Sequence, residues 1–372
     1  MSKQRQVEQA IPQSSPLYFS TIQVLRGTAA LLVVLFHLVD AERIYGRGSM
    51  VLNGIPRFGF AGVDVFFVIS GFVMATIAAG QFGSVGNAGR FLVRRAARIL
   101  PLYWVFTSLI VLILIVLPST VDVSFHTKSI AASYLLWPQG GFPLLQVGWT
   151  LIYEAFFYVM MSVAIAALDE RLVPACLLVW AAAVGALQFV AIARPWQGVV
   201  ASPMAWEFIA GALIGLCWRR VPANFGRGSF WLGVVGFVAA AATLNRLGLY
   251  EQDPLRRTLV FGSCSALIVL GLVLRERSGA AAPHRWLRKV GDASYSIYLS
   301  HLFIVTAAAR AWGRSGLNHS TLEHALFITG TLIASAVAGI ICFRLVERPL
   351  LLVSGKLLSQ RRSSTPAPTA VS

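Results

Sequence analysis

Runs of about twenty apolar residues recur along the whole chain, and that is the length an α-helix needs to cross a hydrocarbon layer about 30 Å thick. Ten such windows lie between breakers, at roughly 22 to 40, 58 to 79, 102 to 117, 148 to 168, 172 to 193, 203 to 218, 230 to 247, 258 to 274, 293 to 312 and 325 to 346. A spanning segment must satisfy its own backbone hydrogen bonds. The expected fold class is therefore all-α, a polytopic transmembrane helical bundle of about ten spans. Composition excludes a soluble fold: 57% of residues are hydrophobic and 12% charged, with a mean hydropathy of +0.71. Function is expected between helices.

The net charge of +16 does not point to nucleic acid, because the basic residues are scattered over short loops and form no stripe on a polar domain. Membrane topology and anionic lipids account for them. With the N-terminus inside, about 19 Lys and Arg fall on the inner side, about 9 in outer loops and 3 within spans. Both termini are thus expected to be cytoplasmic. The four cysteines, Cys176, Cys217, Cys264 and Cys342, sit in or beside apolar segments with neither CxxC spacing nor a histidine partner, so they read as packing residues and no metal site is expected. No cleavage site follows the first apolar run, so no removable signal peptide is expected. Residues 1–20 are assigned as a cytoplasmic tail, 21–350 as the membrane domain and 351–372, which ends in a Ser/Thr/Pro/Ala-rich stretch from Ser363, as a cytoplasmic tail expected to be disordered. The longest outer loop, about 118 to 147, holds Pro118, Pro138, Gly140, Gly141 and Pro143, and is a candidate lid or re-entrant segment.

Ionisable residues inside spans cost about 2.5 to 3.5 kcal/mol each. Arg26, His37, Glu154, Glu207 and His301 are such residues, with Asp64 and Glu347 nearer span ends. Each is either a buried structural partner or part of a polar cavity. Arg26 and His37 are eleven residues apart, which returns the helix to nearly the same face about 16 Å further along its axis. A pantetheine arm has a comparable reach. Arg26 beside headgroups and His37 bonded to a neighbouring helix is the alternative.

The inner loop expected at Arg90 to Arg98 holds Arg90, Arg94, Arg95 and Arg98, followed by Pro101 as the expected start of the next span. Paired guanidiniums suit bidentate phosphate binding, and they equally suit positive-inside topology. Trp149 to Tyr158 opens the fourth span with Glu154 and Tyr158 on one face at i, i+4. A carboxylate beside phenols can orient a sugar hydroxyl or an imidazole; Trp149 and Tyr153 equally suit an interfacial aromatic belt. In the segment from Gly291 to His301, Asp292 is placed to cap a helix, which leaves His301 unexplained.

Gln23-Val24-Leu25-Arg26-Gly27 through His37, and Gly62-Val63-Asp64-Val65-Phe66-Phe67-Val68-Ile69-Ser70-Gly71-Phe72, resemble the acyltransferase 3 family of bacterial membrane O-acyltransferases. The resemblance continues through Arg95-x-x-Arg98, Trp149 to Tyr158, Gly291 to His301 and Glu347-Arg348-Pro349, in order over nearly the whole chain, and is most like the exopolysaccharide O-acetyltransferases. It implies transfer of an acyl group, usually acetyl, from cytosolic acetyl-CoA to a hydroxyl of a polysaccharide or lipid-linked saccharide acceptor at the bacterial inner membrane. Membrane lipids and polysaccharide-synthesis machinery are the further partners it implies. The family's Arg-x10-His motif falls on Arg26 and His37, its Arg-x-x-Arg motif on Arg95 and Arg98, and its acidic residue on Glu154.

The expected site then has His37, Arg26 and Glu154 as catalytic residues, Arg94, Arg95 and Arg98 on the donor, and Trp149, Tyr153, Tyr158 and His301 on the acceptor. His37 either takes the hydroxyl proton as a general base or carries the acyl group covalently. Arg26, Tyr153 and Tyr158 are candidate donors to the oxyanion. A transporter or flippase without covalent chemistry is the competing class; it is favoured by inverted repeats, and none is visible in the sequence. A non-catalytic subunit that positions a polymerase is the third.

Overall fold

The structure is a computed structural model that describes residues 19–47, 50–52, 55–117, 128–249, 253–280 and 283–363. The described residues form helices and connecting turns without a strand. The principal helices are α1 (Ser20–Tyr45), α2 (Gly62–Ala78), α3 (Val85–Val116), α4 (Ile130–Tyr134), α5 (Trp149–Ala167), α6 (Val173–Leu187), α7 (Ala205–Cys217), α8 (Phe225–Arg246), α9 (Ser263–Arg277), α10 (Arg285–Asp292), α11 (Ser294–Ser315), α12 (Thr321–Cys342) and α13 (Arg348–Ser363). Short helical turns extend several of them, so the continuous helical segments are longer than these bounds.

Eight helical segments among the described residues are long and apolar enough to cross a membrane. Each overlaps an expected window, and two expected spans fall outside the eight. Helix α6 is apolar but only 15 residues long. Helix α11 has 22 residues but carries serines, tyrosines, His301 and two arginines, which lower its hydropathy.

Three local expectations are corrected. The arginine segment is not a loop: α3 starts at Val85, where the Ser84 side chain accepts from Asn87 N, and runs unbroken through Pro101. A proline inside a membrane helix is tolerated because it removes one N–H while neighbouring helices hold the segment straight. Asp292 does not cap the following helix. It ends α10, and α11 begins after Ala293 with no side-chain cap. The C-terminal helix α13 extends to Ser363, so the first part of the segment assigned as a tail is helical. Residues 1–18, Pro118 and the rest of 118–127, and 364–372 lie outside the described residues; the remainder of the long loop contains α4 and turns around Gly140 and Gly141.

Packing at the centre depends on small residues. Apolar burial does not drive helices together in lipid, so close backbone approach and polar contacts decide which faces meet. Helices α2 and α7 cross at Gly71 and Gly211, each lying against the partner's backbone at Phe208 and Val68. Helix α1 approaches α10 at Gly27, where a Cβ would stand 2.9 Å from Gly291 N. The α1 start is held by the Glu276 carboxylate, which accepts from Ser20 N at 2.8 Å and Thr21 N at 3.0 Å. These contacts fix α1 along the bundle interior, with Arg26 near one end and His37 towards the other.

Candidate active site

Two cavities meet inside the bundle. The first, about 330 Å³, is lined by Arg26 from α1, Arg94, Arg95 and Arg98 from α3, Ser70 from α2, and Glu154 and Tyr158 from α5. Residues separated by more than a hundred positions in the chain therefore face one space. The second, about 900 Å³, holds His37, Trp149, Gln146, Arg57 and Arg257. Val63 and Tyr298 line both and form the partition. Since α5 runs antiparallel to α1, Trp149 at its start lies with His37, while Tyr158 lies with Arg26.

In the arginine cavity, Glu154 Oε1 accepts from Ser70 Oγ at 3.0 Å and from the Tyr158 hydroxyl at 2.5 Å. This carboxylate is thus oriented by two neutral donors, with four guanidinium groups around the same space. Arg26 donates to Gln23 Oε1 at 3.3 Å, and Arg95 lies over the Phe91 ring at 5.7 Å. Asp292, outside the spans, lies within the field of these arginines; burial pushes its carboxyl up from the usual 3.8, an effect opposed by the positive charges of Arg26, Arg288 and Arg98. The excess of guanidinium over carboxylate suits a polyanion.

The partition is polar at its centre. The Tyr298 hydroxyl lies 2.9 Å from Thr150 Oγ1 and 3.0 Å from Val147 O. On the far side, His37 stands 5.2 Å from His301, centroid to centroid. Trp149 packs edge-on against Tyr153 at 5.7 Å and lies 5.9 Å from the Arg257 guanidinium.

The sequence-derived residues divide as follows. Arg26, Arg94, Arg95, Arg98, Glu154 and Tyr158 are brought together, and His37 and Trp149 share the neighbouring cavity. Tyr158, expected on the acceptor side, lies with the arginines because it is more than two turns along α5 from Trp149. Tyr153 lines neither cavity and packs against Phe67 and Trp149. His301 also lines neither; it is fully buried behind His37.

One residue with a clear place at the site carried no signal in the sequence. Arg257 precedes a π-helical turn, Thr258–Gly262, and grips Asp64 bidentately, with Nε 3.0 Å from both carboxylate oxygens and Nη2 2.7 Å from Oδ2. Asp64 is fully buried and the Arg257 side chain is 11% exposed, facing the His37 cavity. Both stand near span ends, where a lone charge reads as a snorkelling residue, so only their pairing across 193 positions reveals them.

The family profile for an acyltransferase domain matches residues 19–344, close to the whole membrane bundle. The chain belongs to the acyltransferase 3 family. It is 32% identical over 306 residues to the exopolysaccharide production protein ExoZ of Rhizobium meliloti, covering 79% of this chain and 90% of that one. It is 26% identical over 341 residues to nodulation protein 10 of Rhizobium leguminosarum bv. viciae, covering 82% and 86%. No solved structure matches the chain. The protein is thus a multi-pass acyltransferase of the bacterial inner membrane, and the resemblance read from its motifs is borne out.

Proposed function

We propose that this acyltransferase moves an acetyl group from cytosolic acetyl-CoA to a sugar hydroxyl of an exopolysaccharide or its lipid-linked precursor. The observation that carries this reading is the pair of cavities meeting at Tyr298, one rich in arginine and the other holding His37. Arg94, Arg95 and Arg98 bind the donor's phosphates, where planar guanidiniums give bidentate contacts. The pantetheine arm then runs beside Arg26 towards the partition, a span of about 16 Å along α1 between Arg26 and His37. The acceptor enters the wider cavity, where Trp149 offers an apolar ring face to a sugar. The acceptor class is supported by the likeness to an exopolysaccharide production protein.

His37 takes the hydroxyl proton as the oxygen attacks the thioester carbonyl carbon. The C–S bond breaks, and the proton passes from His37 to the departing thiolate. Such base catalysis is typically worth about 10²- to 10⁴-fold. Tyr298 stands where the oxyanion develops and can turn its hydroxyl from Val147 O towards it. Glu154 holds Tyr158 and Ser70 in place beside the donor. Both termini lie in the cytoplasm, so the arginine cavity opens inward and the His37 cavity outward.

The test is oriented proteoliposomes with acetyl-CoA and acceptor on chosen sides. Acetyl-CoA on the arginine side with acceptor on the other is expected to give acetylated product and CoA released on the donor side. Product formed only when both are on the donor side overturns the across-membrane route. His37→Ala is expected to insert and accumulate normally while acetyl transfer falls by about 10²-fold or more.

A further inference from the structure

His301 is fully buried, and its two ring nitrogens have opposite surroundings. Nδ1 lies 2.7 Å from Tyr298 O and 3.3 Å from Ile297 O, both carbonyl acceptors, so Nδ1 must carry the proton. Nε2 is buried without a hydrogen-bond partner. A second proton there would have no acceptor, so the ring is neutral and Nε2 presents a bare lone pair. A buried acceptor left unmade is costly, and a nearby donor is the usual resolution.

The neighbouring ring able to supply that donor belongs to His37. Its centroid is 5.2 Å from that of His301, with the planes inclined at 39°. Allowing about 1.1 Å from centroid to nitrogen in each ring leaves about 3 Å between nitrogens turned towards each other, the length of an N–H···N hydrogen bond. No hydrogen bond to the His37 ring is seen among the described residues, and the terminal torsion of a histidine is broad and soft. With His301 held through Nδ1, a rotation of the His37 ring is the movement that would bring its N–H to Nε2.

We infer that His301 is a positioning residue: its Nε2 accepts the ring N–H of His37 and so fixes the tautomer whose other nitrogen is bare towards the acceptor cavity. The inference rests on the reading of His37 as the base. The logic is that of any base oriented by a third group. A base free to tautomerise presents N–H to the hydroxyl for part of the time, and in that state cannot take its proton. The Tyr298 carbonyl that holds Nδ1 belongs to the residue whose hydroxyl divides the cavities, so one turn of α11 sets the partition and the histidine pair together.

Two variants test this, with two readouts. In His301→Phe the acceptor is lost; in His301→Gln the side-chain carbonyl can replace Nε2 as acceptor. For protein carrying ¹⁵N-histidine, ring nitrogen shifts in lipid bilayers are expected to report one His37 tautomer in the wild type and in His301→Gln, and a mixture in His301→Phe. Kinetically, His301→Phe is expected to lower kcat by about 10-fold or more, part of the effect of the base itself, with the acetyl-CoA KM within about twofold. His301→Gln is expected to recover most of that loss. A His37 tautomer unchanged in both variants, or a kcat loss of equal size in both, overturns the inference. Wild-type protein that transfers no acetyl group overturns the acyltransfer reading of the site instead, whatever the tautomer result.

Discussion

Substituting Gly211 by alanine tests whether the α2–α7 crossing sets the geometry of the donor cavity. A Cβ at Gly211 would stand 2.9 Å from Phe72 N and from the Val68 carbonyl carbon, and closer still to Val68 O, where ordinary contacts begin at 3.4 Å. All three are backbone atoms, so no side chain can turn aside. The Val68 oxygen sets the demand, so the helices must separate by about 1 Å or more, a strain of the kind that costs about 1 to 3 kcal/mol in a packed interior. Gly71 lies reciprocally against Phe208 on the opposite helix, so the contact has little slack. Helix α2 carries Ser70, which donates to Glu154, and contributes Val63 to the partition. Displacing it shifts both relative to the arginines of α3. Misplacements approaching 1 Å can cost about 10²-fold in rate. Gly211→Ala is therefore expected to lower the thermal midpoint of the purified protein and to reduce kcat by about 10-fold or more, measured as CoA released per folded molecule. Gly330→Ala, at a position with nothing within 4 Å, is the matched control and is expected to be neutral. A Gly211→Ala protein with wild-type midpoint and rate would refute the claim that this crossing positions the site.

Asp64→Ala takes from the buried Arg257 guanidinium its hydrogen-bonded carboxylate and leaves Glu207 as the nearby carboxyl, so it is expected to destabilise the fold by up to about 3 to 5 kcal/mol, with Asp64→Ala/Arg257→Leu less destabilised than the sum of the two single variants; single losses that simply add in the double variant would show that the pair is not coupled. His324 stands with Nδ1 2.7 Å from Glu42 Oε1 and Nε2 3.1 Å from Asn318 O and 3.2 Å from Arg47 O, so both nitrogens donate and the ring is an imidazolium. His324→Leu is expected to lower the thermal midpoint markedly while the acetyl-CoA KM stays unchanged, because Glu42 and its Val51 and Leu52 contacts lie far from the arginine cavity. For Asp292, burial raises the carboxyl above 3.8, so the folded state holds its proton more tightly than the unfolded chain and stability falls as pH rises through that raised value. Asp292→Asn is expected to raise the midpoint at pH 7 relative to wild type and to lose the gain below about pH 4; a constant difference across that range would show that this titration does not contribute.

The long apolar runs determined by themselves that the chain is a helical membrane protein, because a backbone in hydrocarbon has so few ways to satisfy its hydrogen bonds. The spacing of Arg95 and Arg98 and of Glu154 and Tyr158 was equally legible, since contacts three or four residues apart depend only on helix geometry. Membership of the acyltransferase 3 family was legible in the ordered motifs. The continuity of α3 through Pro101 was not, because local breakers act on a helix whose neighbours can hold it in place. Nor were the partners of the buried charges: Asp64 with Arg257, Ser70 with Glu154, Glu42 with His324, and His37 beside His301. In a soluble helix an apolar stripe marks the buried face, but in lipid the outward face is as apolar as the inward one, so periodicity does not say which helices touch. Which helix each polar group met, and on which side of Tyr298 it came to lie, was decided by glycine crossings and long-range hydrogen bonds that exist only in the assembled bundle.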